Sequence, residues 1–210
     1  MSSSRARPEA PELERPVREA LVRRDQAALA AFFDAYFERI HGYIRRLVRE
    51  EHLAEDLTQD VFLHVHRALD SYDPERPLAP WVFTIATNKV RDLWRSRRNQ
   101  SDHQSLGQED GLDDPALVAG ERSALDGLES SELASQVARA IEGLPDLLRQ
   151  TLVLRYYEGL SFEAIGAIVD RNETAVRKRY SRALQELRKE LGGAASGESG
   201  VHGPTDASRT

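Results

Sequence analysis

Residues 144–191, LPDLLRQTLVLRYYEGLSFEAIGAIVDRNETAVRKRYSRALQELRKEL, read as three helical segments separated by two short breaks. Pro145 suits a first helical position, where the missing N–H would be orphaned anyway. Leu147, Leu148, Thr151, Leu152, Leu154 and Tyr156 carry that helix to Glu158, and Gly159 supplies its stop. Ser161 is an N-cap for a short helix over Phe162 to Val169, with Glu163 favourable near its positive end. Asp170-Arg171-Asn172 makes a turn, and Asn172 caps the helix that follows. On that last helix Val176, Tyr180, Leu184, Leu187 and Leu191 share one stripe, with Ala183 at its edge. Thr174, Lys178, Ser181, Arg182 and Gln185 point the other way, flanked by Arg177 and Arg188. Helix, turn, then a helix with cations and hydrogen-bonding side chains on one face suits insertion into a DNA major groove. A merely solvated basic face is the bland alternative, but it leaves the preceding helix and turn unexplained.

Composition sets the frame around this segment. The 210 residues are 40% hydrophobic and 30% charged, which marks a globular chain. No apolar run is long enough for a membrane span, and residues 1–16 lack the apolar core of a secretory signal. Cysteine is absent, which removes disulfides and thiolate chemistry and makes the cytoplasm the expected compartment. The net charge of −6 conflicts with nucleic-acid binding until it is mapped along the chain. Basic residues gather at Lys89, Arg91, Arg95, Arg97 and Arg98, and again from Arg171 to Lys189. An acidic stretch from Asp102 to Glu132 separates them. Local fields, not the total, decide where phosphate goes.

These features predict an all-α chain of two small helical domains joined by a flexible linker. Residues 1–15 are expected to form a disordered tail, 16–98 a helical bundle and 99–128 the acidic linker. Residues 129–191 are the helix-turn-helix unit, and 192–210 a disordered Gly/Ser tail. In the first unit, Leu29, Phe32, Phe33, Tyr36, Phe37, Ile40, Tyr43, Ile44 and Leu47 recur at helical spacing and read as core. The next helix buries Leu53, Leu57, Val61, Val65 and Ala68 and turns Glu55, Asp56 and Gln59 outward. Three prolines between Ser71 and Pro80 break the chain before a helix over 80–98. There Val82, Ile85, Ala86 and Leu93 face inward, while Thr84, Thr87, Asn88, Arg91, Arg95 and Arg98 line the other side. Trp81, Phe83 and Trp94 are expected to add aromatic surface, a combination suited to unstacked bases.

Two blocks together resemble a known family. Ala54-Glu-Asp-Leu-Thr-Gln-Asp-Val-Phe62 and Trp81-Val-Phe-Thr-Ile-Ala-Thr-Asn88, with Asp92 and Arg95, are similar to region two of the extracytoplasmic-function sigma factors. Leu144-Pro145 through Ser161, with Ala175 to Leu184, resembles their region four. The resemblance implies an alternative sigma factor that brings core RNA polymerase to promoters and assists DNA melting and transcription initiation. It implies docking of Glu55, Asp56 and Gln59 on the β′ clamp helices, and of region four on the β flap. It places Ser71, Tyr72, Asp73, Thr84, Thr87, Asn88, Arg91 and Arg95 at the −10 element. It places Arg171, Thr174, Arg177, Lys178, Ser181 and Arg182 at the −35 element. An anti-sigma factor is a further expected partner, and the free chain is expected to be a monomer. Asp170-Arg171 departs from the family's common Gly-apolar turn.

The rival reading is a two-domain helix-turn-helix regulator that acts without being a polymerase subunit. An enzyme is not expected: there is no Gly-rich phosphate loop, no nucleophile elbow and no metal-ligand set. His64 and His66 lie two apart on a helix and diverge. No cofactor is expected.

Overall fold

The computed structural model describes residues 12–101 and 131–196. Among these residues the chain is helical throughout, without strands. The first unit comprises α1 (Arg15–Val22), α2 (Gln26–Val48), α3 (Glu51–Ala68), a 3-10 turn (Leu69–Ser71) and α4 (Leu78–Ser101). The second comprises α5 (Ser131–Gly143), α6 (Asp146–Tyr156), α7 (Phe162–Val169) and α8 (Glu173–Ser196). Most of the expected acidic linker and the end of the C-terminal tail lie outside the described residues.

Local chemistry sets the helix ends. The Asp25 carboxylate accepts from the Ala28 N–H at 3.0 Å and opens α2. Arg49 closes it in the left-handed region at φ 63°. Ser161 accepts from the Ala164 N–H at 3.1 Å, and Asn172 from Ala175 at 2.8 Å. Glu12 reaches from the expected tail to the start of α4. There its carboxylate accepts from the Leu78 and Ala79 N–H groups and from the Tyr36 hydroxyl. The ordered chain therefore begins before residue 16, because α4 needs an acceptor at its positive end.

The α2 stripe of Phe32, Tyr36, Ile40, Tyr43, Ile44 and Leu47 is buried as expected. Phe33 is not core: it is 48% exposed and stacks on Phe37. On α3 the buried side is rotated from the expected one. Ala54, Thr58, Val61 and Val65 are buried, and Leu53, Leu57 and Ala68 only half-buried. Thr58 is accommodated because its hydroxyl donates to the Ala54 carbonyl at 2.6 Å.

Helix α4 departs further from expectation. Phe83, Thr87 and Trp94 are buried instead of forming a nucleic-acid surface, while Ile85 and Leu93 are only half-buried. The reason is that α4 packs against α2 and α3 and also against α7 of the second unit, which widens its buried arc. The Thr87 hydroxyl shares a 2.7 Å hydrogen bond with Tyr43, whose ring meets Phe83 edge-on.

The two units do not stand apart. One continuous core includes Tyr43, Phe83 and Val90 from the first and Val153, Leu154, Ile165, Ile168 and Val169 from the second. A smaller core of Val137, Ile141, Leu152, Leu184 and Leu187 holds the second unit's own helices. Burying a branched aliphatic side chain contributes roughly 1.5–3 kcal/mol, an upper figure because part of that burial persists within each unit. Polar links cross the same boundary. Arg149 donates to the Leu47 carbonyl at 3.1 Å, and Arg39 pairs with Glu158 at 3.0 Å where both are buried from water. Arg46 lies 3.9 Å from the Tyr157 ring centroid.

Candidate nucleic-acid interface

Helix α8, the candidate DNA-reading element, is built from its cap outward. Asn172 starts α8, and Val176, Ala183, Leu184 and Leu187 bury one face. Thr174 and Arg177 are exposed, and Lys178, Ser181 and Arg182 half-exposed, along one side of α8. Arg177 donates to Glu173 at 2.6 and 2.9 Å and lies over Phe162, its carbon 4.4 Å from the ring centroid. Arg155 sits 4.6 Å from the same ring. Arg171 is exposed and donates to the Asp170 carbonyl at 2.9 Å. Gly166 on α7 lets the turn approach: a Cβ there would stand 2.6 Å from the Arg171 carbonyl oxygen.

The first unit presents a second basic face. On α4, Asn88 and Arg95 are exposed, and Thr84 is half-buried with its hydroxyl donating to Pro80. Arg95 donates to Asp92 at 3.2 Å. Thr87, expected here, is fully buried beneath Tyr43 and offers nothing to DNA. Arg91 is half-buried and donates to the Val169 carbonyl at 2.9 Å, so the second unit covers part of this face. Burial lowers its proton affinity, reinforced by the nearby cations Arg179 and Arg171.

The loop before α4 is more rigid than its composition suggests. Tyr72, expected to meet DNA, is buried against Trp81 with centroids 4.9 Å apart, and its hydroxyl donates to the Arg76 carbonyl at 2.6 Å. That burial pushes its hydroxyl up to about 12. Tyr72 therefore pins the loop, while Ser71 and Asp73 remain exposed beside it. Asp73 accepts from the Glu75 N–H at 3.0 Å. Arg18 anchors the loop by donating to the Pro74 carbonyl at 3.0 Å.

A third surface lies on α3. Glu55, Asp56 and Gln59 are exposed together. Gln59 borders an apolar groove of about 350 Å³ lined by Leu29, Phe32, Phe33, Phe62 and Leu63. Phe33 and Leu63 are the exposed walls of that groove, 48% and 47% open. Sequence reasoning missed it because Phe33 fits the core periodicity of α2.

Two family models match these units: Sigma-70 region 2 over residues 32–100, and Sigma-70 region 4 over residues 134–187. SigK of Mycolicibacterium vanbaalenii, an ECF RNA polymerase sigma factor, is 31% identical over 82% of this chain and 86% of its own length. The chain belongs to the ECF sigma factors. Another relative of this sigma factor is SigW of Bacillus subtilis, 32% identical over 80% of this chain and 90% of its own. CarQ of Myxococcus xanthus is 35% identical over 80% and 91%. Among solved structures, CnrH in complex with the cytosolic domain of CnrY superposes with a TM-score of 0.62 at 26% identity, covering 85% of this sigma factor and 97% of CnrH. RpoE of Bartonella quintana, solved with the anti-sigma factor NepR, shares the fold at 22% identity and a TM-score of 0.59. No helix among the described residues is long and apolar enough to cross a membrane.

Proposed function

We propose that this sigma factor directs bacterial core RNA polymerase to promoters built of paired −10 and −35 elements. The observation that carries this reading is the Asn172-capped α8, with Thr174, Arg177, Lys178, Ser181 and Arg182 along one side, in a chain that also bears a region-two unit. Those residues and Arg171 read the −35 duplex, in the manner of a helix laid in the major groove. Ser71, Asp73, Thr84, Asn88, Arg91 and Arg95 engage the −10 element and the melted strand. Glu55, Asp56 and Gln59 dock on core polymerase, and the Phe33–Leu63 groove beside them gives that contact an apolar centre.

The packed arrangement is the resting form in this reading. Arg91 is half-buried and directed at Val169 in this form, which limits its reach to a DNA duplex. In this reading the units separate when polymerase and promoter are engaged. Two interface atoms support a separable contact. Arg149 Nε and Gln150 Oε1 are buried without a hydrogen-bond partner, a cost that opening removes. A protein partner that holds the packed form is the further expected regulator. The CnrH complex supports it by precedent, since that relative was solved bound to another protein.

The test is reconstituted transcription: purified chain, bacterial core polymerase and genomic DNA fragments, with start sites mapped by sequencing. Discrete starts that require the chain and share upstream elements are the expected result. Failure to bind core would overturn the reading.

A further inference from the structure

The boundary between the two units encloses a cleft of about 860 Å³ whose charge is one-sided. Eight of its fifteen lining residues are arginines drawn from both units, against two lining aspartates, Asp146 and Asp170. The remaining wall is apolar, with Leu47, Val48, Trp94 and Val169 limiting water on one side. Several of the cations are held by neutral groups. Arg91 donates to the Val169 carbonyl, Arg49 to the Glu142 carbonyl, and Arg149 to the carbonyls of Leu47, Leu144 and Glu142. Carbonyl acceptors fix the direction of a guanidinium without neutralising it. Carboxylates do pair with Arg149 (Asp146, 2.5 Å), Arg97 (Glu50, 2.7 Å) and Arg95 (Asp92, 3.2 Å), whereas Arg49 and Arg91 are held by carbonyls. Closing the units gathers these like charges along one cleft, with Arg91, Arg149 and Arg179 partly or fully withdrawn from solvent and the other five arginines exposed at its mouth. Burial lowers the proton affinity of Arg149, with the Arg49 charge adding to the effect and Asp146 opposing it. Burial likewise lowers that of Arg91, against Tyr43 and with Arg179 and Arg171 adding to it.

Such a site calls for an anion with several charges in a small volume. Guanidinium groups bind phosphate oxygens through paired N–H donors, and arginines on facing walls suit a ligand that presents phosphates on both sides. The volume falls in the range of small-molecule clefts. We propose that the inter-unit cleft binds a linear oligophosphate, the tail of a nucleotide or a free polyphosphate chain, and that this ligand bridges the units and holds them closed. Arg91, Arg95 and Arg171 lie in the same lining, so the ligand competes with promoter DNA. That competition rests on the promoter-directing reading above; binding itself does not.

The experiment is titration calorimetry of the full chain, without polymerase, at fixed ionic strength. The probes are sodium tripolyphosphate and ATP, with sulfate as a charge control. Saturable 1:1 binding of tripolyphosphate or ATP, with little heat from sulfate, is expected, together with a rise in melting temperature. The Arg49→Gln/Arg179→Gln variant removes one cation from each unit outside the proposed DNA contacts, and should weaken binding at least tenfold. Arg188→Gln, outside the cleft, should leave it unchanged. Arg49→Lys keeps the charge but loses the fork and should fall between. Circular dichroism melts establish that each variant is folded. Tighter binding of ATP than of tripolyphosphate assigns the ligand to nucleotides, and equal binding to the bare phosphate chain. No saturable binding, or equal affinity in the folded double variant, overturns the proposal. Because no polymerase is present, a failure here is separate from a failure to direct transcription.

Discussion

The guanidinium of Arg91 donates to the carbonyl oxygen of Val169 at 2.9 Å, tying α4 of the first unit to the last residue of α7 in the second. A side chain proposed to meet the −10 element is thus used, in this form, to close the molecule. The same boundary holds Arg39–Glu158 at 3.0 Å with side chains only 14% and 5% exposed.

That ion pair is the first target. Arg39→Met strands the Glu158 carboxylate in a buried place, and loss of one partner of a buried pair costs about 3–5 kcal/mol. Arg39→Met/Glu158→Leu removes both charges and should recover most of it. Urea melts measure the stability. Small-angle scattering should show an expanded particle for the single variant. An unchanged radius with normal stability would mean that the pair does not hold the units together.

Gly166 supports the helix-turn-helix. A Cβ 2.6 Å from the Arg171 carbonyl forces α7 and the turn apart, so Gly166→Ala should destabilise by about 1–3 kcal/mol. Binding to −35 duplex should fall, with the first unit's helicity retained. Thermal melts and duplex titration together check both halves of this expectation.

Lys178 and Arg182 separate charge from specificity. If Lys178 meets phosphate, Lys178→Ala weakens all duplexes alike and reduces the salt slope by about 1. If Arg182 reads a base edge, Arg182→Ala costs about 1–3 kcal/mol and relaxes preference at one base pair. Holoenzyme binding to a panel of single-base promoter variants at two salt concentrations distinguishes these roles.

The apolar groove beside Gln59 predicts a polymerase defect without a fold defect. Phe33→Ser and Leu63→Ser alter walls that are about half open, so stability should change by less than about 0.5–1 kcal/mol. Affinity for core polymerase should drop at least tenfold, read by fluorescence anisotropy. Normal core affinity in both variants would remove the groove from the docking surface.

Alkaline pH should loosen the centre of the molecule. Burial pushes the Tyr43 hydroxyl up to about 12 from an ordinary 10. The folded state therefore keeps its proton where the unfolded state has lost it. The stability tied to this proton is complete below pH 10 and falls away as pH rises towards 12. Two pKa units correspond to a loss on the order of 3 kcal/mol. Tyr43→Phe should flatten that decline; a decline of equal slope in the variant would assign it to other groups.

Much of the architecture was legible before any coordinate. Pro145, Gly159, Ser161 and Asn172 mark helix ends because capping is local chemistry, readable within four residues. The exposure of Glu55, Asp56 and Gln59 also followed from periodicity, since α3 packs along one side. Periodicity failed on α4, where it placed Thr87 and Trp94 outside. A repeat of 3.6 residues reports how many faces are apolar, not how many neighbours arrive. Thr87 is buried because Tyr43 supplies its hydrogen-bond partner from α2.

Sequence by itself determined the helices, their order, the basic side of α8 and the family, because each depends on residues close together along the chain. Tertiary structure alone decided that Glu12 would cap α4, that Tyr72 would pin its loop, and that Arg91 would face Val169 instead of solvent. Those relations join residues 66, 4 and 78 positions apart, respectively. Even the shortest turns on whether Trp81 lies against the Tyr72 ring, which packing settles and residue type does not. The eight-arginine cleft belongs to the same category: its charges are visible in the sequence, but their meeting depends on how two helical units close.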